Sequence, residues 1–120
     1  MAEDAAAVRD KQVVVMRHFD AGLRTRLRAL VSEELIDAHR VNPPGPHSDA
    51  LERLLNYFRR AAVAEKYAIL AVRPFAEYRI VALSGRRGVP PRVADERNYP
   101  TENAAQHAVF LCRVRDLMES

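Results

Sequence analysis

The chain has 120 residues, enough for one domain with a single hydrophobic core. Hydrophobic residues make up 48%, which is too many for an intrinsically disordered chain. The net charge is only +3, an excess too small and too scattered along the sequence to indicate a nucleic-acid-binding surface. The single cysteine, Cys112, excludes an internal disulfide, and no run approaches the ~18 apolar residues of a membrane span. These features predict a soluble, cytoplasmic protein.

The N-terminal half is predicted to be helical after a short polar segment. Residues 1–18 are mostly small or polar and are predicted to form a flexible N-terminal arm, followed by one domain over 19–120. From Phe19 apolar residues recur every three or four positions, which predicts a helix. Ser32 either lies inside that helix or caps a second short one. The proline-rich stretch 42–46 ends the helical segment, and Ser48 caps a further helix that extends to about Ala62.

The second half predicts a β-hairpin and a final helix. Residues 66–73 and 77–83 are rich in β-branched and aromatic side chains and read as antiparallel strands, joined by a turn at Pro74-Phe75-Ala76. Thr101 caps the last helix. The predicted apolar face of that helix consists of Ala104, His107, Leu111, Val114 and Met118, widened by Ala108, Phe110 and Leu117. The fold class is therefore α+β, with three or four helices packed on a short antiparallel hairpin.

Histidine and cysteine residues do not form a recognisable catalytic or metal-binding pattern. No two of the four histidines, which include His18, have the i, i+4 spacing of a helical metal pair. His39 and His47 flank the proline-rich loop and could approach each other, but the sequence favours a helix-end histidine and a loop histidine. His107 is predicted to be a core or interface residue with one nitrogen satisfied. It lies about 140° around the helix from Cys112, so the cysteine is interpreted as a buried structural thiol.

The remaining polar clusters allow two interpretations each. Asp95-Glu96-Arg97 is either a ligand clamp or a tether that holds its loop to a helix or partner, and the tether is favoured because no acid–base group lies nearby in sequence. Arg86-Arg87, between glycines, reads as a solvated turn more readily than as a phosphate site. No serine elbow, P-loop, dinucleotide fingerprint or CxxC pair is present. The residues alone thus predict a small α+β domain without a complete active site.

Three stretches of the sequence carry a family resemblance. They are LIDAHRVNPPG at 35–45, LNYFR at 55–59 and EYRI at 77–80, the last followed by DER at 95–97, TE at 101–102, AQHAVFL at 105–111 and Arg113. Together they resemble the small (light) subunit of N,N-dimethylformamidase, a bacterial two-subunit amidohydrolase. The similarity extends from about residue 35 to the C-terminus, and residues 1–34 match more loosely.

The resemblance implies an accessory role in a larger enzyme. Enzymes of this type hydrolyse N-substituted formamides to formate and an amine, and their large subunit holds a mononuclear iron through tyrosine and glutamate side chains. The resemblance therefore implies a large catalytic partner subunit, in a hetero-oligomer of two small and two large chains or more. It also implies no catalytic residue, no metal ligand and no cofactor on this chain. The interface candidates are Arg59, Arg79, Asp95, Glu96, Arg97 and His107.

Two alternatives stay open from the sequence. The first is a stand-alone interaction module without enzymatic activity, a homodimer that pairs through its hairpin edge. The second is a weak nucleic-acid binder, suggested by the pI near 9.4, whose binding would weaken steeply with salt. No basic stripe interleaved with aromatic residues supports the second alternative. We therefore expect neither nucleic acid nor a membrane as a partner.

Overall fold

Four helices and a three-stranded antiparallel sheet make up the described part of the chain, residues 21–60 and 66–119 of the computed structural model. In chain order these elements are the helical residues 21–30 (α1), Glu33–Val41 (α2), Asp49–Arg59 (α3), Tyr67–Arg73 (β1), Glu77–Ala82 (β2), Arg92–Val93 (β3) and Glu102–Glu119 (α4). The predicted α+β class is confirmed, whereas the predicted N-terminal arm lies outside the described residues. None of the described helices is long and apolar enough to cross a membrane.

Serine and threonine side chains begin three of the helices. Ser32 Oγ accepts from a backbone N–H three residues later at 3.1 Å, so α2 is a separate helix. Ser48 caps α3 in the same way at 3.3 Å, and Thr101 Oγ1 caps the first turn of α4 at 3.1 Å. Each cap satisfies a backbone donor and contributes about 1 kcal/mol. Helix α3 ends at Arg59, and its predicted end near Ala62 lies outside the described residues.

The sheet has the order β1-β2-β3 and contains one strand that the sequence did not predict. Strands β1 and β2 form the predicted hairpin, with Ile69 opposite Ile80. The third strand pairs Val93 with Val81, in a stretch for which no secondary structure was predicted from the sequence. Two residues are too few to show the alternation of apolar and polar positions that identifies a strand. This segment is a strand because it pairs with β2, and its own sequence contains no pattern that indicates a strand.

Helix α4 is the central layer of the fold. It packs against β1 and β2 on one side and against α2 on the other, and the helical core includes Phe110, Val114 and Leu117. The predicted apolar face of α4 was partly wrong, because Leu111 is 42% and Met118 52% exposed. A helix covered on two sides has apolar residues around most of its circumference, so the sequence pattern does not single out the buried positions.

One face of the sheet covers α4 and the opposite face is open. Tyr67 pairs with Ala82 and its hydroxyl donates to Asp116 on α4, so the positions that share this face point towards the helix. The alternate positions form the open face, which we define as Ala68 and Leu70 of β1, Glu77, Arg79 and Val81 of β2, and Val93 of β3. Leu70 is 51% and Val93 49% exposed. The face opposite α4 therefore presents two half-exposed apolar side chains, beside the charged residues of β2.

The hairpin turn holds an exposed aromatic ring in a left-handed backbone conformation. Ala76 N donates to Arg73 O at 3.0 Å across the turn. Pro74 is its second residue and Phe75 its third, with φ at 65°. This is the pattern of a type II turn, whose third position favours glycine. Phe75 is 94% exposed, so packing within the described chain does not compensate for the unfavourable φ.

Replacing Phe75 with glycine is expected to raise the free energy of unfolding by about 0.5 to 1 kcal/mol, because glycine adopts positive φ without the steric cost of a Cβ. Urea-induced unfolding followed by circular dichroism measures the change. The matched control is Phe75→Ala, which also removes the ring but keeps the Cβ. Equal stabilisation by both variants would attribute the effect to loss of the exposed ring and contradict the backbone argument.

Candidate functional site

Four of the six interface candidates lie together beside the sheet. Arg79 is on β2, on the same face as Val81, and its Nε donates to Asn98 Oδ1 at 3.0 Å. The loop that contains Asn98 also contains Asp95, Glu96 and Arg97. Fold contacts thus bring residues separated by about fifteen positions into one polar cluster next to the open face. Whether this cluster contacts a partner stays a prediction.

Asp95 stabilises the shape of that loop. Its Oδ1 accepts from Arg97 N at 3.0 Å, and its Oδ2 accepts from the Tyr99 hydroxyl. The hydrogen bond from Tyr99, together with that from Arg97, lowers the pKa of Asp95. Burial, followed by the bond to Asp95, raises the pKa of Tyr99 to about 12. Tyr99 in turn forms a pair of backbone hydrogen bonds with Tyr78 of β2, both 2.8 Å long, so the loop is attached to the sheet and presents Glu96 to solvent.

The other two candidates lie in the helical part of the molecule. Arg59 is at the end of α3, where its Nη1 donates to Asn56 Oδ1 at 2.9 Å and lies 3.9 Å from a carboxylate oxygen of Glu52. His107 is on α4 and contacts His39 of α2. These two candidates are therefore carried by helices, whereas the other four are carried by β2 and the loop beside it.

Three histidines and a phenylalanine form a stacked cluster between α2, α4 and the loop before α3. The Nδ1 atoms of His39 and His107 are 2.9 Å apart. The His39 ring stacks on Phe110, with centroids 4.1 Å apart, and on His47, at 5.6 Å. His47 Nε2 lies 3.0 Å from the carbonyl oxygen of Pro43, which can only accept, so this nitrogen donates. We call His39, His47, His107 and Phe110 the histidine cluster.

Burial lowers the pKa of two members of the histidine cluster, His39 and His107. His39 is only 4% exposed. Its burial, together with the charges that His107 and His47 would carry, lowers its pKa to about 4. Burial and then the nearby Arg40 guanidinium also lower the pKa of His107. Two neutral imidazoles can share one N–H···N bond at 2.9 Å, in which one ring donates and the other accepts.

The sequence interpretation of His39 as a helix-end histidine missed its burial. A signal was available, because His39 follows Leu35 by four residues and therefore shares its helix face, and Leu35 is buried in the core. The possible approach of His39 to His47 is confirmed, and so is the prediction that one nitrogen of His107 is satisfied. The partner that satisfies it, on a helix 68 residues away in sequence, was not predictable from local pattern.

The described residues were compared with the requirements of a metal site, of a reactive thiol and of an acid–base pair. Within 21–60 and 66–119, no three or more histidine, cysteine, aspartate or glutamate side chains converge on a point that could hold a metal. Cys112 is half-buried, and burial raises its pKa, which opposes thiolate formation. A cleft of about 300 Å³ at the hairpin end is lined by Ile69, Ala71, Pro74, Phe75, Tyr78 and Glu102. Its polar side chains are the carboxylate of Glu102 and the hydroxyl of Tyr78, which accepts from the backbone N–H of Phe75.

Comparison with known proteins identifies the family. The model of the family described as N,N-dimethylformamidase alpha subunit matches residues 14–120. The chain belongs to this family. It is 33% identical to an N,N-dimethylformamidase alpha subunit of Paracoccus aminophilus, over 95% of this chain and 83% of that protein. It is also 34% identical to an alpha subunit of the same name from an Alcaligenes species, over 95% of this chain and 89% of the relative.

Membership of this family confirms that the sequence resembles an N,N-dimethylformamidase subunit, and the matched subunit is named alpha. The match begins at residue 14, well before the stretch at 35–45 from which the resemblance was traced. It includes every described helix and strand, so the histidine cluster and the open face both belong to the matched domain.

Proposed function

We propose that this chain is the small accessory subunit of a heteromeric N,N-dimethylformamidase-like amidohydrolase, which cleaves the C–N bond of N-substituted formamides to give formate and an amine. The observation that carries the proposal is the family match over residues 14–120. Two relatives named as alpha subunits, each aligned over 95% of this chain, support it. A protein named as one subunit of an enzyme requires at least one other kind of chain.

The catalytic iron is placed, in this proposal, on a large partner subunit that supplies tyrosine and glutamate ligands. Three of the four described tyrosines of this chain already use their hydroxyls in contacts within the chain. Tyr67 donates to Asp116 and Tyr99 donates to Asp95. The Tyr78 hydroxyl accepts from the backbone N–H of the hairpin turn at 3.1 Å. We therefore assign no step of the hydrolysis to residues of this chain.

The role left to the chain is to bind and stabilise the large subunit. A protein that binds only the folded form of its partner stabilises that form by mass action. The proposed assembly is a cytoplasmic hetero-oligomer of two small and two large chains or more, without a nucleic-acid or membrane partner. Formation of the complex would then control how much active large subunit is present.

Co-expression with the large subunit tests this function. We expect affinity-tagged chain to recover the large subunit in stoichiometric amount, and the complex to release formate from N,N-dimethylformamide. The chain purified without the large subunit is expected to release none. Formate release by this chain alone would contradict the accessory role. A homodimer that takes up no large subunit on co-expression would favour the stand-alone interaction module instead.

A further inference from the structure

We infer that the open face, together with the outer edge of β1 and the Phe75 turn, is the surface that docks on the large subunit. The matching surface of the large subunit is inferred to be apolar with an acidic rim. This inference rests on the proposed function and adds to it the contact surface and the chemistry of the partner. Three independent features of the described chain support it.

The first feature is a patch of four apolar side chains on the open face, bordered by two charged positions of β2. In an antiparallel sheet with one face in water, inward apolar positions normally alternate with outward polar ones. Here Ala68 and Leu70 lie on the outward side of β1, and Val81 and Val93 on that of β2 and β3. Val81 in the middle is only 9% exposed, whereas Leu70 and Val93 at its sides are about half exposed. This arrangement is typical of a sheet that is covered on both faces.

The second feature is the hairpin at the end of this surface. Phe75 is 94% exposed and has a positive φ, so the turn directs a large ring away from the domain despite the backbone cost. Exposed aromatic anchors that enter a pocket on the partner often contribute most of the binding energy of an interface. Val72, at the irregular position of β1, is a further exposed apolar side chain at 44%.

The third feature is the outer edge of β1, which has no strand partner among residues 21–60 and 66–119. Strand β1 is seven residues long, contains no proline and carries no charge before Arg73. Edge strands without prolines or inward charges readily accept another strand. An extended segment of a partner can add to such an edge through backbone hydrogen bonds.

Charge selects the large subunit over a second copy of this chain. Lys66 precedes β1, Arg73 ends it, and Arg79 lies on the open face opposite Leu70. Glu77 is the one carboxylate on this side of β1 and β2, and it lies 3.8 Å from Arg73. Antiparallel pairing of two β1 strands would bring Lys66 of each copy near Arg73 of the other, and like charges across a strand pair are destabilising. A partner with acidic side chains at these ends has no such penalty.

Substitutions in the co-expressed complex test the docking surface. We expect Leu70→Asp and Val93→Asp each to lower the yield of complex about tenfold or more, since each places a carboxylate in an apolar contact next to an acidic rim. The matched control is Val41→Asp on α2, at a side chain that is 74% exposed and lies in the helical layer beyond α4. That variant is expected to keep the wild-type yield within about twofold.

Zero-length cross-linking of the wild-type complex with a carbodiimide tests the same surface without a substitution. Lys66 is expected to join an aspartate or glutamate of the large subunit. Absence of the wild-type complex would overturn the proposed function and this inference with it. A wild-type complex that resists Leu70→Asp and Val93→Asp, or a Lys66 cross-link to a second copy of this chain, would overturn the docking surface and leave the proposed function standing.

Discussion

Replacing Phe110 with alanine is expected to lower the free energy of unfolding by about 4 kcal/mol, the range found for phenylalanine truncation in a well-packed core. Phe110 is only 2% exposed. Its ring stacks on His39 and meets the Phe58 ring edge-on, with centroids 6.2 Å apart. Truncation would therefore leave a cavity where α2, α3 and α4 meet. Urea-induced unfolding followed by far-ultraviolet circular dichroism measures the loss.

Leu111→Ala is the matched control for that experiment, because it removes a large apolar side chain from the next position of the same helix. Leu111 is 42% exposed, and we expect a loss below about 1 kcal/mol from it. Similar losses from both variants would mean that α4 packs differently from the arrangement described. A loss confined to Phe110→Ala would show that the buried face of α4 contains Phe110 and not Leu111, which the sequence pattern had placed on the apolar face.

Local features of the fold were predictable from the sequence because their causes are local. The caps at Ser32, Ser48 and Thr101 depend on a side chain and a backbone N–H three residues apart. The hairpin depends on two short runs of β-forming residues and a proline turn. The family resemblance was also traceable, since it rests on short stretches of sequence. These features needed no knowledge of which elements meet in space.

Features that depend on packing between distant elements were not predictable. Strand β3 exists because Val93 meets Val81, and His39 is buried because α4 brings His107 and Phe110 against α2. The central position of α4 explains both the misjudged face at Leu111 and the open side of the sheet. Amphipathic spacing identifies a buried stripe when a helix packs on one side, and it fails when a helix packs on two.

The interface candidates also separate into features that are visible in the sequence and features that depend on packing. The candidates were chosen by residue type, without knowledge of where each one lies. Arg79 and Asp95 lie beside the sheet. Arg59 and His107 lie in the helical layer. The structure adds the apolar side chains between the charges, which were not among the interface candidates. Leu70 is such a residue: its strand position was predicted, but its exposure follows from the absence of a covering helix in the described chain.

Acidification is expected to destabilise the fold through the histidine cluster. An unfolded histidine takes up a proton near pH 6.5, whereas His39 in the folded chain does so only near pH 4. Between these values the unfolded state binds more protons, so the free energy of unfolding is complete above about pH 6.5 and falls as the pH is lowered towards 4. We expect a loss of roughly 2 kcal/mol from this residue. The lowered pKa of His107 acts in the same direction.

Comparison with His39→Gln isolates this contribution from that of the carboxylates. Asp95 also has a lowered pKa, so the stability that its carboxylate contributes is likewise lost in acid. That loss occurs at lower pH than the loss from His39, and it is the same in the wild type and in His39→Gln. A glutamine amide can still donate a hydrogen bond to His107 Nδ1, yet it does not titrate. Unfolding measured at half-unit steps from pH 7 to 4 should show a steep fall for the wild type and a shallow one for His39→Gln. Parallel curves would contradict this prediction. They would mean that His39 takes up its proton equally well in the folded and unfolded chain, despite its burial between Phe110 and His107.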